Sequence, residues 1–354
     1  MKKKPRSAGV TAEGLEAVIA AFKGRRILVL ADLVADEFLY GSVQRVSREA
    51  PVLILEYDGT DVRMGGGANA VHNIQTLGGT PVPMGVVGRD EHGRRLRALL
   101  RDRGIAARGV ATDPEYVTPV KTRILGGGTH STKQQMVRID KRTRLADASA
   151  ARRTVLAAVR GYAGPLHGVL VSDYGFGLLT PGLVEAAIAL ARRRRVPVTV
   201  DSRYSLLSFR GMTAVTPNEP EVEAALGVTI GHDRRRLESA GRSLLRRLKV
   251  GAVLVTRGSD GMALFEPGRP TVHIPIYGSD QVADVTGAGD TVIATFTLAL
   301  AAGGSPLEAS LLANYAGGVV VMKRGTATVS SAELRRALAA DPAPGTPVRG
   351  VWPR

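Results

Sequence analysis

The chain has no cysteine in 354 residues, which excludes disulfides, thiolate metal sites and a cysteine nucleophile. Aromatic residues make up only 4%, so stacking platforms for single-stranded nucleic acid are scarce, and no helix-turn-helix or zinc-finger spacing offers another route to nucleic acid. No apolar run is long enough to cross a bilayer. No continuous apolar segment follows the basic start Met1-Lys2-Lys3-Lys4-Pro5-Arg6, so neither a membrane span nor a secretory signal is expected and the reading is cytoplasmic. The six histidines, His72, His92, His130, His167, His232 and His273, show no His-Glu-x-x-His or other metal-ligand spacing. Acidic side chains are in short supply: 32 against 48 Lys and Arg leave a net charge of +16.

Hydrophobic residues amount to 44% and the mean hydropathy is +0.02, enough to bury one large core or two modest ones. The arginine clusters Arg192 to Arg195, Arg234 to Arg236 and Arg246-Arg247 fall within amphipathic helical patterns, where a solvated polar face accounts for them. A basic surface also concentrates small anions such as nucleotides and sugar phosphates.

Residues 11–23 read as a helix. Short apolar runs then occur at Arg26-Ile27-Leu28-Val29-Leu30-Ala31-Asp32, Gly168 to Asp173, Val196 to Asp201, Ala214 to Asn218 and Ala252 to Thr256. Each ends in polar residues, and helical patterns separate them, which predicts an α/β fold around a mostly parallel sheet. Asp32, Asp173, Asp201, Asn218 and Thr256 would gather along the carboxyl edge of that sheet, where sites form in such folds. Two stretches, 43–62 and 117–140, break the alternation with period-two patterning and read as a small β lid, with Gly126-Gly127-Gly128 as its hairpin turn. The expected division is a tail and helix over 1–24, one domain over 25–340, and a proline-rich tail over 341–354.

Four segments carry candidate chemistry. Asp284-Val285-Thr286-Gly287-Ala288-Gly289-Asp290-Thr291 lies between a strand-like run and a long apolar helix. Its glycines allow a tight turn whose N–H groups converge on an anion at a helix start, with Asp290 aimed at the same place. A carboxylate there suits taking a proton from a hydroxyl that attacks a phosphate; the bland alternative is an acidic N-cap. Met64-Gly65-Gly66-Gly67-Ala68-Asn69 opens a helix, and its missing side chains would let a ligand approach the backbone while Asn69 bonds sugar hydroxyls. A plain helix-entry loop would look the same. Asn218 and Glu221 stand three apart at a helix start, where they could hold water around Mg²⁺ or form a capping box. Thr256-Arg257-Gly258-Ser259-Asp260-Gly261 follows a strand and reads either as a phosphate-contacting loop or as a polar turn.

The order of these segments resembles that of the ribokinase-like (PfkB) carbohydrate kinases over about residues 25–335. Asp32, the Gly66-Gly67-Ala68-Asn69 element, Asn218-x-x-Glu221, Thr256-Arg257-Gly258 and Gly287-Ala288-Gly289-Asp290 occur in that family's sequence. The most similar branch is the kinases for D-glycero-β-D-manno-heptose 7-phosphate, through Arg45-Val46-Ser47-Arg48-Glu49-Ala50-Pro51-Val52, Lys121-Thr122-Arg123 and Gln134 to Asp140. The resemblance implies ATP and Mg²⁺ as cofactors and Asp290 as general base, with the amides of Gly287, Ala288 and Gly289 stabilising the transferring phosphoryl group. Asp32, Gly66, Gly67, Asn69 and Asp173 would hold the sugar, and Arg45, Lys121, Arg123, Arg138 and Arg203 would attract a phosphorylated one. Asn218, Glu221, Thr256, Arg257, Gly258, Gly261 and Asn314 would serve the nucleotide, with Glu221 on Mg²⁺ through water. Asp284 and Thr286 match positions that help bind a monovalent cation, K⁺ by expectation. A homodimer formed through the lid is also implied, since an exposed β edge favours pairing.

Three departures bear on the substrate. Asp201-Ser202-Arg203 stands where the branch often has Asp-Pro-Lys, Arg48 replaces a proline, and Gly126 to His130 looks like an insertion in the lid hairpin. No His-x-Gly-His motif is present, so the adenylyl transfer that many members of the branch also perform is expected to come from another protein.

Overall fold

The computed structural model describes residues 10–128, 133–278 and 283–341; of the expected tail segments 1–24 and 341–354, residues 1–9 and 342–354 lie outside them. In chain order the strands are β1 (Arg26–Ala31), β2 (Leu33–Val46), β3 (Leu53–Gly66), β4 (Thr80–Gly88), β5 (Gly109–Asp113), β6 (Val120–Gly127), β7 (Gln134–Lys141), β8 (Gly168–Asp173), β9 (Val198–Ser202), β10 (Ala214–Val215), β11 (Ala252–Thr256), β12 (Met262–Phe265) and β13 (Val272–Ile274). The helices are α1 (Ala12–Ala20), α2 (Gly67–Thr76), α3 (Glu91–Asp102), α4 (Ala150–Arg160), α5 (Pro181–Arg194), α6 (Glu219–Leu226), α7 (Arg234–Leu248), α8 (Ala288–Ala301), α9 (Pro306–Val321) and α10 (Ser331–Ala340).

Nine strands form the large sheet in the order β13-β12-β11-β10-β9-β8-β1-β4-β5. All neighbours are parallel except the β11–β12 and β12–β13 pairs. The unbroken apolar character of β1 follows from its place near the middle, since Ile27 and Val29 enter one core while Leu28 and Leu30 enter the other. The first core packs α1, α2, α3, α8, α9 and α10 on one face, through residues such as Leu15, Ile74, Leu96, Phe296, Leu312 and Leu334. The second packs α4, α5, α6 and α7 on the other, through Val155, Leu190, Val222 and Leu244. Three layers result, and the α/β expectation is met.

Sequence patterning did not anticipate β4, β5, β12 or β13. Strand β4 carries Pro81 and Pro83 in the body of a sheet that proline normally avoids. Its register explains this: β1 pairs with Thr80 to Met84, whereas β5 joins on the other side only from Met84 onward. The prolines therefore occupy the stretch where β4 is still an edge.

The small sheet has the order β3-β2-β6-β7. It begins at Leu33, earlier than the patterning suggested, because β2 runs straight on from β1 after Asp32. Bulges at Tyr40/Gly41 and Val43/Arg45 bend the β2–β3 ribbon. Gly126 and Gly127, expected in a hairpin turn, instead lie within β6, Gly126 opposite Gly41 and Gln134 and Gly127 opposite Ser42. Gly128 is the last residue described before Lys133, and the rest of the apparent insertion, Thr129 and His130, lies outside the described residues. No described helix is long and apolar enough to cross a membrane.

Candidate functional site

The carboxyl ends of β1, β8, β9, β10 and β11 and the amino ends of α2, α6 and α8 meet along one edge of the large sheet, beneath the small sheet. Asp290 sits in the first turn of α8 and is 3% exposed. Its Oδ1 accepts a 2.6 Å hydrogen bond from the Tyr174 hydroxyl, and its Oδ2 accepts one of 3.3 Å from Asn69 Nδ2. Burial lifts the Asp290 carboxyl from 3.8 to about 6, against the opposing pull of the Tyr174 bond and of Lys121.

The turn before it is built for close approach. Gly287, at φ 79°, caps α8 in the left-handed region, and a Cβ there would stand 2.5 Å from Asn69 Nδ2. The same Nδ2 donates to the Gly287 carbonyl at 3.2 Å, and Asn73 Nδ2 donates to Asn69 Oδ1 at 3.1 Å, which fixes the amide's orientation. Of the three amides expected to face an anion, that of Ala288 is engaged, donating to the Val285 carbonyl at 3.2 Å. The N–H groups of Gly287, Gly289 and Asp290 donate to no acceptor among the described residues. An unsatisfied helix N-terminus of this kind favours a phosphate.

Asp32 follows β1 and is 2% exposed. Its Oδ2 accepts from the backbone N–H groups of Tyr174 at 3.0 Å and Phe176 at 3.1 Å, while burial, with Asp173 nearby, lifts it to about 7. Asp173 is also raised by burial, and accepts from Ser202 Oγ at 2.6 Å and Gly175 N–H at 2.9 Å. Asp201 is held well above the usual carboxylate range by burial, with Glu221 and Asp290 adding to it. Gly67 packs on β1 so closely that a Cβ would lie 2.3 Å from that of Ala31, and its N–H donates to the Asp32 carbonyl at 3.0 Å. Gly66, at φ 51°, ends β3 against Val34.

The cations divide into two groups. Lys121 and Arg203 both rest on the Tyr174 ring, with Nζ 4.7 Å and Cζ 4.5 Å from its centroid. They border a cleft of about 300 Å³ beside Tyr174 that also presents Lys141, Arg142 and Arg144, with Asp140 as its one carboxylate. Arg123, by contrast, is buried in an ion pair with Asp36 at 2.9 Å and packs on Phe38. Arg138 pairs with Asp140 at 2.8 Å, and Arg45 is exposed near the far end of β2.

On the expected nucleotide side, Asn218 and Glu221 form the full capping box of α6: Asn218 Oδ1 accepts from Glu221 N at 2.8 Å and Glu221 Oε2 from Asn218 N at 2.9 Å. Burial raises the Glu221 carboxyl, against the opposing hydrogen bonds from Asn218 and the charge of Arg203. One carboxylate oxygen beside bound phosphates is the protein share that Mg²⁺ commonly takes, so the residues fit that ion. Thr256 bridges to Asn218. Arg257 is committed to Glu219 at 2.7 Å and Asp260 at 3.2 Å, while Gly258 and Gly261 supply positive φ in its turn. Asn314, on α9, donates to the Pro275 carbonyl at 2.9 Å. Asp284 accepts from Thr286 N and Gly325 N, each at 2.9 Å, so it ties two loops together. No group of three or more metal-ligating side chains occurs among the described residues.

Sequence reasoning missed Tyr174, Asp36, Asn73 and the basic run Lys141-Arg142 with Arg144. A signal for Tyr174 did exist, since it directly follows the acid that ends β8, at the sheet edge where ligands bind.

Comparison with known proteins agrees with this geometry. The model of the pfkB family carbohydrate kinases matches residues 34–333. The bifunctional protein HldE of Geobacter sulfurreducens is 40% identical over 323 residues, 91% of this chain and 64% of that protein. HldE of Caulobacter sp. (strain K31) is 40% identical over 316 residues, 89% of this chain and 63% of that one. The chain thus spans less than two thirds of the length of these relatives. Among solved structures, Arabidopsis thaliana ribokinase complexed with ribose and ATP shares the fold with a TM-score of 0.66 at 20% identity, covering 90% of this chain and 100% of that one. Escherichia coli phosphofructokinase-2 in complex with potassium does so at 0.70 and 18%, covering 90% and 98%. The chain belongs to the pfkB family of carbohydrate kinases and, as a member of it, is an ATP-dependent sugar kinase.

Proposed function

We propose that the chain transfers the γ-phosphoryl group of ATP to the anomeric hydroxyl of D-glycero-β-D-manno-heptose 7-phosphate, giving the 1,7-bisphosphate. The observation that carries this reading is the adjacency of Asp290, with free amides at its helix start, to a cleft holding five cations and one carboxylate. Asp140 already shares its charge with Arg138 and Arg142. A neutral sugar would leave that positive charge uncompensated, whereas an acceptor phosphate would match it.

In this reading Asp290 takes the proton of the attacking hydroxyl while the new oxygen–phosphorus bond forms in line. The bond from the γ-phosphorus to the β,γ-bridging oxygen breaks, and ADP leaves with the electron pair. The N–H groups of Gly287, Gly289 and Asp290 face the charge on the transferring group. Asp32 and Asn69 hold sugar hydroxyls, and Gly66 and Gly67 let the sugar lie against the backbone. Glu221 would hold Mg²⁺ through water, and the ion would neutralise the triphosphate. Thr256, Gly258, Gly261 and Asn314 border the nucleotide. Asp284 and Thr286 brace the turn, with K⁺ as the monovalent ion they would accept. The small sheet serves as a lid that keeps water from ATP.

The HldE names of the relatives support the heptose assignment, and the enzyme would work in the cytoplasm, where ATP is supplied. We also infer a homodimer through the lid. Val137 and Ile139 of β7 share one sheet face with Ile124 and Leu39, as the strand registers require, and are 52% and 54% exposed. A second copy would cover that face.

The test is ADP release from Mg·ATP against D-glycero-β-D-manno-heptose 7-phosphate, fructose phosphates, ribose and adenosine. Selectivity for the heptose phosphate is the expected result. Preference for ribose or adenosine would overturn the role given to the cationic cleft, and a fructose phosphate as best acceptor would replace the sugar while keeping that role.

A further inference from the structure

Tyr174 has no part in the reading above, yet it contacts Asp32, Asp290, Lys121 and Arg203. Its backbone N–H donates to Asp32 Oδ2 at 3.0 Å and its hydroxyl donates to Asp290 Oδ1 at 2.6 Å, so it is held at both ends. Its ring carries Lys121 from the small sheet and Arg203 from the end of β9, at 4.7 and 4.5 Å. Residues from both sheets therefore converge on the one phenol that touches the candidate base.

We propose that Tyr174 is a positioning residue for Asp290: its hydroxyl orients the carboxylate and keeps it ionised, and Lys121 and Arg203 hold the ring so that it can do so. This rests on Asp290 being the base of the proposed transfer. A phenol is suited to the task because it supplies one strong donor and, when buried, does not itself ionise. Burial and the neighbouring Asp290 charge hold the Tyr174 hydroxyl well above its usual range, so it stays a donor while Asp290 accepts the substrate proton. The bond is also directional. With Oδ1 occupied by Tyr174 and Oδ2 by Asn69, the carboxylate plane cannot turn, and each oxygen keeps a further lone pair for the sugar hydroxyl.

Other groups that face Asp290 act on its ionisation too. Lys121 on β6 favours the charged form, and Asp36 on β2 disfavours it. Asp201 and Arg203 from the β9 end are electrostatically linked to it with opposite signs. None of these changes when the Tyr174 hydroxyl alone is removed, which makes Tyr174→Phe a clean perturbation: ring, cation contacts and backbone bond all remain.

The experiment is the pH dependence of kcat, with the best acceptor from the panel, for the parent enzyme, Tyr174→Phe and a protein carrying 3-fluorotyrosine at 174. For Tyr174→Phe the acid limb should move up by about one pH unit, with turnover down roughly fivefold at pH 6 and approaching tenfold below it, and KM for ATP unchanged. The fluorinated phenol, a stronger donor, should move the limb down. Superimposable limbs in all three proteins would overturn the proposal, as would equal loss of kcat at every pH with no movement of the limb. Asp290→Asn separates the two readings: turnover surviving in that variant removes the base itself, whereas a dead Asp290→Asn beside unmoved limbs removes only the role of Tyr174. Should Tyr174→Phe fold poorly, the fluorinated protein decides alone.

Discussion

Replacing Asp290 with asparagine should abolish turnover and at the same time make the protein more stable at pH 8. The rise of the Asp290 carboxyl from 3.8 to about 6 means that its charged form is less favourable folded than unfolded. Two pH units correspond to about 3 kcal/mol of destabilisation once the group is ionised in both states. The sign follows from linkage: a raised carboxyl favours the folded state fully below pH 3.8, and that advantage is lost as pH rises through about 6. Asparagine removes the charge and nearly keeps the shape. The Tyr174 hydroxyl can still donate to its carbonyl oxygen, but its NH₂ would meet Asn69 Nδ2, which now donates to the carboxylate at 3.3 Å. That clash of donors offsets about 1 kcal/mol, leaving a net gain of about 2 kcal/mol at pH 8, or a few degrees in Tm. The assay is thermal unfolding of parent and variant at pH 8 and near pH 4, together with ADP release. The gap should be present at pH 8 and close near pH 4. An equal gap at both pH values would refute the burial account, and surviving turnover would refute the mechanism.

Three more outcomes follow from the packing. Gly287→Ala should lose at least tenfold in turnover and about 1–3 kcal/mol in stability, because a Cβ at φ 79° would push Asn69 Nδ2 away from 2.5 Å; near-parental kinetics would show that the turn can relax. Arg123→Met should lower stability by about 3–5 kcal/mol, since it leaves Asp36 buried with Thr326 as its remaining partner, and adding Asp36→Asn should recover part of it. A urea midpoint shift worth under 1 kcal/mol would mean that the site admits water. Ile139→Lys should convert a dimer to a monomer in light scattering, and a parental mass would move the interface off the exposed face of β7.

The parts of the fold legible in the sequence were those whose cause is local. Strand β1 announces itself because burial on two faces demands an unbroken apolar run, and the Gly287 turn because glycine is what a left-handed cap requires. Strand β4 hid behind Pro81 and Pro83, whose tolerance depends on where β5 begins to pair, a fact about a neighbour and not about the strand itself.

The site shows the same division with greater consequence. The family resemblance marked Arg123, Arg138, Arg203, Arg257 and Lys121 as cations near an anion site, but the choice of partner is tertiary. Arg123 finds Asp36 across 87 residues and Arg257 finds Glu219 across 38, which removes both from the set that a substrate can use without breaking an ion pair. Tyr174 reaches Asp290 across 116 residues, and no pattern at either end predicts that contact. It matters because a buried carboxylate is a poor base unless something holds its charge in place, and the side chains that do so here come from both sheets. A substitution in the small sheet that shifts Lys121 should therefore reach the chemistry through the Tyr174 ring, even though Lys121 makes no hydrogen bond to Asp290.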